Sequence, residues 1–91
     1  MILNMSSYKI KYAKEVRDYV VDNFLFGDGA ALKDDTSFLD GGIVDSTGML
    51  ELIMFLESTY DMKVQPEEMI PDNLDSVNRV AEFITRKAPK T

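Results

Sequence analysis

The sequence predicts an all-α protein, a four-helix bundle of three long helices and one short third helix. Three observations support this class. Apolar residues recur at spacings of three and four in three segments, as on the buried face of an amphipathic helix. Proline and glycine fall between these segments, and the 91 residues suffice for one domain with a single core.

Helix I is predicted from Tyr8 to Phe26, where Gly27 and Gly29 end it. Its expected core positions are Ile10, Ala13, Val16, Val20 and Phe24, with Tyr12 and Tyr19 at the margins. A long connection, residues 28–44, follows and is expected to reach the core through Phe38 and Leu39. Connections of this length are usually functional or packed against the protein.

Helix II is predicted from Ser46 to about Tyr60, with Asp45 before it. At 100° per residue, one side is assigned to the core: Met49, Leu52, Ile53, Leu56 and Tyr60. The other side holds Thr47, Leu50, Glu51, Met54 and Ser58, with Phe55 and Glu57 near its edges. Leu50 and Met54 are therefore apolar on a face directed to solvent, and we interpret that face as a binding surface.

The short helix III is expected from Pro66, with Pro71 ending it. Helix IV should run from Ser76 to about Lys87 and bury Val77, Val80, Ala81 and Ile84, with Phe83 nearby. We expect residues 1–7 to be a flexible N-terminus, residues 8–87 to be the single domain and residues 88–91 to be a flexible tail.

Composition excludes several classes of function. The chain has no histidine and no cysteine, and so lacks the usual general base, the thiol nucleophile and the soft or imidazole metal ligands. Its net charge is −6, and residues 27–45 contain five aspartates against one lysine. Such acidity argues against nucleic acid and for partners with basic docking surfaces. Without a transmembrane or leader pattern, we expect a cytoplasmic monomer that does not bind membranes.

The Asp45-Ser46 pair is the strongest candidate site. With Asp45 as N-cap, its carboxylate could accept the free N–H of Thr47 or Gly48, which would leave the Ser46 hydroxyl directed outward near the positive end of the helix dipole. Alternatively, Ser46 is itself the cap. The dipeptide alone does not decide, because Asp75-Ser76 also precedes a helix, and there we interpret either residue as a plain cap.

The wider context of Ser46 resembles that of acyl and peptidyl carrier proteins. The resemblance lies in the Gly-Gly-Ile-Val approach at residues 41–44, the acidic loop containing Ser37-Phe38, and the order of the four helices. It implies a bundle of acyl-carrier type in which a phosphopantetheinyl transferase, using coenzyme A and magnesium, attaches 4′-phosphopantetheine to Ser46. It also implies that loading and processing enzymes bind Thr47, Leu50, Glu51 and Met54, and that the chain is a carrier of thioester-bound cargo rather than an enzyme.

Three residues depart from the family's usual pattern. Thr47 stands where leucine or methionine is common, and Gly48 lies inside a helix, where glycine costs about 0.5–1 kcal/mol relative to alanine. Gly48 would either make room for the arm or a partner, or only fray the first turn. Phe55 replaces a small residue of fatty-acid carriers, which favours short, polar or aminoacyl cargo.

Four hypotheses follow. The first is a freestanding acyl carrier of a fatty-acid, polyketide or similar pathway. The second is an aminoacyl or peptidyl carrier loaded by an adenylating enzyme. The third is an unmodified helical adaptor that binds a partner through helix II. An enzyme has the least support, because no histidine or lysine lies near Ser46 in the sequence to activate it.

Overall fold

The computed structural model describes residues 5–89, and within them it confirms the all-α fold. Four α-helices are present: α1 (Met5–Phe24), α2 (Ser46–Tyr60), α3 (Pro71–Leu74) and α4 (Val77–Lys87), with a 3-10 helix at Pro66–Glu68. No strand occurs in this part of the chain. None of its helices combines the length and apolar character needed to cross a membrane.

The core lies where α4 packs along α1 and the buried face of α2 covers them. It is built from Tyr12, Val16 and Val20 of α1, Leu52, Ile53 and Leu56 of α2, and Val77, Val80, Ala81, Phe83 and Ile84 of α4. These positions repeat every three or four residues, so that each helix buries one stripe. The predicted core faces of helices II and IV are therefore largely confirmed, with Met49 and Tyr60 half-buried.

The predicted core face of helix I was wrong at Ile10, which is 72% exposed, whereas Tyr12 is buried. At 100° per residue, Ile10 lies about 120° around the helix from Val16, while Tyr12 lies about 40° from it. The buried stripe of α1 is therefore Tyr12, Val16 and Val20, and Ile10 lies outside it.

The connection between α1 and α2 is fastened to the bundle by two charged side chains. The Arg17 guanidinium donates to the Leu32 carbonyl at 2.6 Å and to Asp34 Oδ1 at 2.5 Å. Asp75, which follows α3, accepts from Ser37 Oγ at 2.5 Å and from the Leu39 N–H at 2.9 Å. These bonds hold a segment of irregular structure in one conformation as it approaches Ser46.

Of the two loop residues predicted to reach the core, Phe38 does so and Leu39 does not. Phe38 is completely buried, and its carbonyl accepts the N–H groups of Ile43 and Val44 at 2.9 and 3.2 Å. Leu39 is 44% exposed, and its backbone N–H donates to Asp75.

The predicted helix III is two short segments rather than one. The 3-10 helix ends at Glu68, and Pro71, expected to end a helix, instead begins α3. Both observations have one cause: proline lacks an N–H and has a fixed φ, so it interrupts a helix already under way but fits the first position of a new one.

The expected terminal segments fall partly beyond the described residues, which exclude 1–4 and 90–91. Residues 5–7 belong to α1, and Ala88 is buried. The division of the chain at residues 7 and 87 stays a prediction.

Candidate functional site

Asp45 is the N-cap of α2. Its backbone is extended, with φ −92° and ψ −172°, and its Oδ1 accepts the Gly48 N–H at 2.7 Å. Its carbonyl accepts the Met49 N–H at 2.8 Å. Because Asp45 fills the capping position, Ser46 becomes the first residue of the helix and its side chain is exposed.

The second Asp-Ser pair has the opposite arrangement. Ser76 is the N-cap of α4, accepts the Arg79 N–H at 3.1 Å and is only 3% exposed. Asp75 accepts from the loop instead of capping the helix. Helix α2 begins at the serine of its Asp-Ser pair, whereas α4 begins one residue after its serine. This difference leaves Ser46 exposed and Ser76 buried.

The environment of Ser46 suits a phosphodiester. The N–H groups of the first three helical residues have no acceptor within the helix, and in α2 the Asp45 side chain accepts that of Gly48. The N–H groups of Ser46 and Thr47 therefore have no acceptor within the helix. Together with the helix dipole, they favour an anion bonded to the Ser46 oxygen.

Gly48 packs closely against the end of α1. A Cβ added there would lie 2.7 Å from Phe24 Cε1, 3.1 Å from Val44 Cγ1 and 3.3 Å from Asp45 Oδ1. The residue is buried despite standing in the first turn. The absent side chain thus leaves space for the Phe24 ring, an explanation that the sequence pattern did not provide.

The predicted partner face of α2 is open to solvent. Thr47, Leu50, Glu51 and Met54 are all exposed, Leu50 at 59% and Met54 at 66%. Two large apolar side chains therefore project from the helix that begins at Ser46, with a carboxylate between them. Exposed apolar residues bordered by charge are typical of protein-binding surfaces.

Aromatic rings fill the space between α1 and α2. Phe55 stacks on Tyr19 with ring centroids 4.1 Å apart, and Tyr19 meets Phe24 edge to face at 6.0 Å. At the other end of α2, Tyr60 meets Tyr12 edge to face at 5.1 Å. The sequence placed Tyr12 and Tyr19 only at the margins of a helix, since periodicity does not show that their rings meet those of α2.

The Tyr60 hydroxyl donates to Glu15 Oε1 at 2.6 Å. This bond stabilises the aromatic layer, which consists of Tyr12, Tyr19, Phe24, Phe55 and Tyr60. Burial is the main cause that raises the pKa of Tyr60 above its ordinary value of 10.0, and the bond to Glu15 raises it further. The phenol therefore stays protonated near neutral pH and joins α1 to α2.

Two residues near the site were not recognised from the sequence. Phe26, assigned to the end of helix I, lies beyond α1, is fully exposed and has a φ of +55°. Asp75, considered only as a cap, anchors the loop that leads to Ser46. An isolated aromatic residue and an isolated aspartate give no periodic signal, so neither role was visible in the pattern.

Comparison with known proteins identifies relatives over most of the chain. A D-alanyl carrier protein of Streptococcus thermophilus is 33% identical over 66 residues, covering 72% of this chain and 82% of that protein. One from Streptococcus uberis is 32% identical over 71 residues, covering 76% and 90%. An acyl carrier protein of Brachyspira hyodysenteriae is 31% identical over 70 residues, covering 77% and 87%.

No family profile matches the chain. Relatives at these identities, covered over most of their length, nevertheless show the family, and the all-α fold is consistent with it. The chain belongs to the acyl and peptidyl carrier protein family.

Proposed function

We propose that Ser46 is the attachment site of a 4′-phosphopantetheine arm and that the chain presents arm-bound cargo to partner enzymes. The observation that carries the proposal is the exposed Ser46 in the first turn of α2, with Asp45 rather than Ser46 as the cap. When attached, the group supplies a thiol on a flexible arm, to which cargo is bound as a thioester.

Attachment is a phosphoryl-type transfer that an external enzyme performs. The Ser46 oxygen forms a bond to the phosphorus of coenzyme A that carries pantetheine, and the bond from that phosphorus to 3′,5′-ADP breaks. The serine proton passes to a base of the transferase, because this chain has no histidine or cysteine. Asp45 holds the helix start rigid, and the N–H groups of Ser46 and Thr47 favour the resulting phosphodiester.

The surface next to Ser46 supports recognition by basic partners. Leu50 and Met54 offer apolar contacts, Glu51 offers a carboxylate between them, and the preceding loop is acidic. An enzyme with lysine or arginine around an apolar docking site would match both features.

The aromatic layer favours a short cargo. Phe55 and Tyr19 occupy space between α1 and α2 that a long acyl chain would need to enter the bundle. A small aminoacyl group needs no such space, and several relatives are D-alanyl carrier proteins. The preferred cargo is therefore an aminoacyl group, D-alanyl in particular, loaded by an adenylating enzyme.

A second candidate is a carrier of fatty or polyketide acyl intermediates. The specific observation in its favour is the similarity to the acyl carrier protein of Brachyspira hyodysenteriae. In this case the acyl group would remain at the surface rather than enter the bundle, because the aromatic layer would still exclude it.

Loading of the modified protein separates the two candidates. The protein is first treated with coenzyme A, magnesium and a broad-specificity phosphopantetheinyl transferase, then offered D-alanine with ATP and a D-alanine-adenylating enzyme, or malonyl-coenzyme A with a malonyl transferase. A mass gain of one alanyl group that is released by hydroxylamine supports the first candidate. Malonyl loading without alanyl loading would favour the second.

Modification of Ser46 itself has a separate control. Ser46→Ala should abolish both the arm and all loading. If Ser46→Ala retained its cellular activity and partner binding, the chain would be an unmodified adaptor that uses the exposed face of α2.

A further inference from the structure

Phe26 lies at the exposed tip of a hydrogen-bonded turn that follows α1. The Gly27 N–H donates to the Val21 carbonyl at 2.9 Å, and the Asp28 N–H donates to the Leu25 carbonyl at 2.9 Å. Gly29 then packs so closely on Val21 that an added Cβ would lie 2.6 Å from Val21 Cγ2. The chain therefore folds back onto α1 immediately after Phe26.

The conformation of Phe26 is unfavourable for the fold. Its φ of +55° lies in the left-handed region, which bulky side chains rarely adopt. Its side chain is 100% exposed and so gains no stability from burial. Glycine would suit this backbone better, and the following residue, Gly27, has a φ of +83°.

The position of the tip relates Phe26 to Ser46. Two residues earlier, Phe24 packs against the first turn of α2, where a Cβ added at Gly48 would lie 2.7 Å from Phe24 Cε1. Phe26, two residues further along the chain, therefore lies at the same end of the bundle as Ser46. The other exposed apolar residues at this end of α2 are Leu50 and Met54.

An enzyme that modifies Ser46 must cover this end of the molecule. To form a bond to the Ser46 oxygen, its active site has to bring phosphorus within bonding distance of that atom, so the surrounding surface is buried in the encounter. A loading enzyme, in contrast, reaches cargo through a long arm and is less constrained. Fixed aromatic side chains are frequent anchors at protein interfaces because little conformational entropy is lost when they bind.

We infer that Phe26 is a docking residue for the phosphopantetheinyl transferase, which inserts this ring into an apolar pocket bordered by basic residues. The basic border follows from charge complementarity, because the loop beginning at Gly27 contains five aspartates against one lysine. This inference rests on the proposed modification of Ser46 and adds a second contact region, on the α1–α2 connection, to the exposed face of α2.

The test compares the rate of arm attachment with stability in matched variants. Phe26→Gly removes the ring and relieves the backbone, whereas Phe26→Tyr keeps the ring. Ile10→Ala removes a similarly exposed apolar side chain near the opposite end of the bundle, where Tyr12 meets Tyr60, about 20 Å along α2 from Ser46. Initial rates of mass gain with coenzyme A, magnesium and a broad-specificity transferase give kcat/KM for each protein.

For Phe26→Gly, we expect kcat/KM to fall about tenfold through a higher KM, as for truncation of an aromatic interface anchor, while Tm stays equal or rises. Phe26→Tyr and Ile10→Ala should react at close to the wild-type rate. An unchanged rate for Phe26→Gly would overturn the inference, as would a fall in its Tm, which would show a structural role. If the wild-type protein gained no mass, attachment to Ser46 would itself be refuted, an outcome distinct from equal rates.

Discussion

Gly48→Ala measures how tightly the end of α1 packs against the start of α2. Helix propensity alone predicts that alanine would stabilise α2 by about 0.5–1 kcal/mol. The structure predicts the opposite sign, because the new Cβ would lie 2.7 Å from Phe24 Cε1, with Val44 Cγ1 at 3.1 Å and Asp45 Oδ1 at 3.3 Å. The Asp45 carboxylate also holds the helix cap and cannot move away without lengthening its bond to the Gly48 N–H.

Overpacking of this kind costs about 1–3 kcal/mol. After subtraction of the gain in propensity, we expect a net loss of about 1 kcal/mol, equivalent to a fall in Tm of about 4–8 °C for a domain of this size. Urea unfolding monitored by far-ultraviolet circular dichroism would measure the change, with the slope m as a check that the transition remains two-state.

A double-mutant cycle identifies the cause. Phe24→Leu removes Cε1 but keeps an apolar side chain, so in that background Gly48→Ala should be neutral or mildly stabilising, with Val44 and Asp45 still close. The resulting coupling energy should be about 1–2 kcal/mol, within the range for residues in contact. If Gly48→Ala stabilised the wild-type and Phe24→Leu proteins equally, the packing argument would be refuted.

Three further predictions concern the loop, the aromatic layer and the cargo. Asp75→Ala removes the acceptor of Ser37 Oγ and of the Leu39 N–H and should lower the free energy of unfolding by about 2–3 kcal/mol. Asp72→Ala, which removes an exposed ion pair with Arg79 at 3.4 Å, should change it by no more than about 0.5 kcal/mol. Equal losses for the two variants in urea unfolding would contradict this prediction. The raised pKa of Tyr60 means that the stability contributed by its protonated hydroxyl is fully present below the unfolded-state pKa, near 10.0, and is lost as pH rises above it towards the folded-state pKa. Tyr60→Phe should therefore make the fall in unfolding free energy above about pH 10 less steep. A long acyl chain on the arm should leave the Tm of the wild-type protein unchanged but raise the Tm of Phe55→Ala, because that variant opens space beside Tyr19. A rise in the Tm of the wild-type protein would show that the acyl chain enters the bundle.

Periodicity was sufficient to predict the fold class and the two sides of α2. Apolar spacing depends on the helix period alone, so the burial of Leu52, Ile53 and Leu56 and the exposure of Leu50 and Met54 followed directly. The prediction for helix I failed at Ile10 because it relied on spacings of three and four alone, whereas the angle of 100° per residue places Ile10 outside the stripe of Tyr12, Val16 and Val20.

The features that periodicity missed depend on contacts between distant segments. The burial of Gly48 depends on Phe24, and the role of Asp75 depends on Ser37, 38 positions away along the chain. Likewise, Pro71 is compatible with either the end or the start of a helix. Because the 3-10 helix already ends at Glu68, Pro71 begins α3. These contacts depend on tertiary packing, so a local sequence pattern does not predict them.

We expect the position at which the helix starts, rather than the Asp-Ser dipeptide, to decide which serine is modified. Ser46→Ala and Ser76→Ala test it directly, because each removes the serine of one Asp-Ser pair. Intact-mass measurement after treatment with coenzyme A, magnesium and a phosphopantetheinyl transferase should show one added phosphopantetheine on the wild-type protein and on Ser76→Ala, and none on Ser46→Ala. An arm retained by Ser46→Ala, or no arm on the wild-type protein with several transferases, would show that Ser46 is not the attachment site.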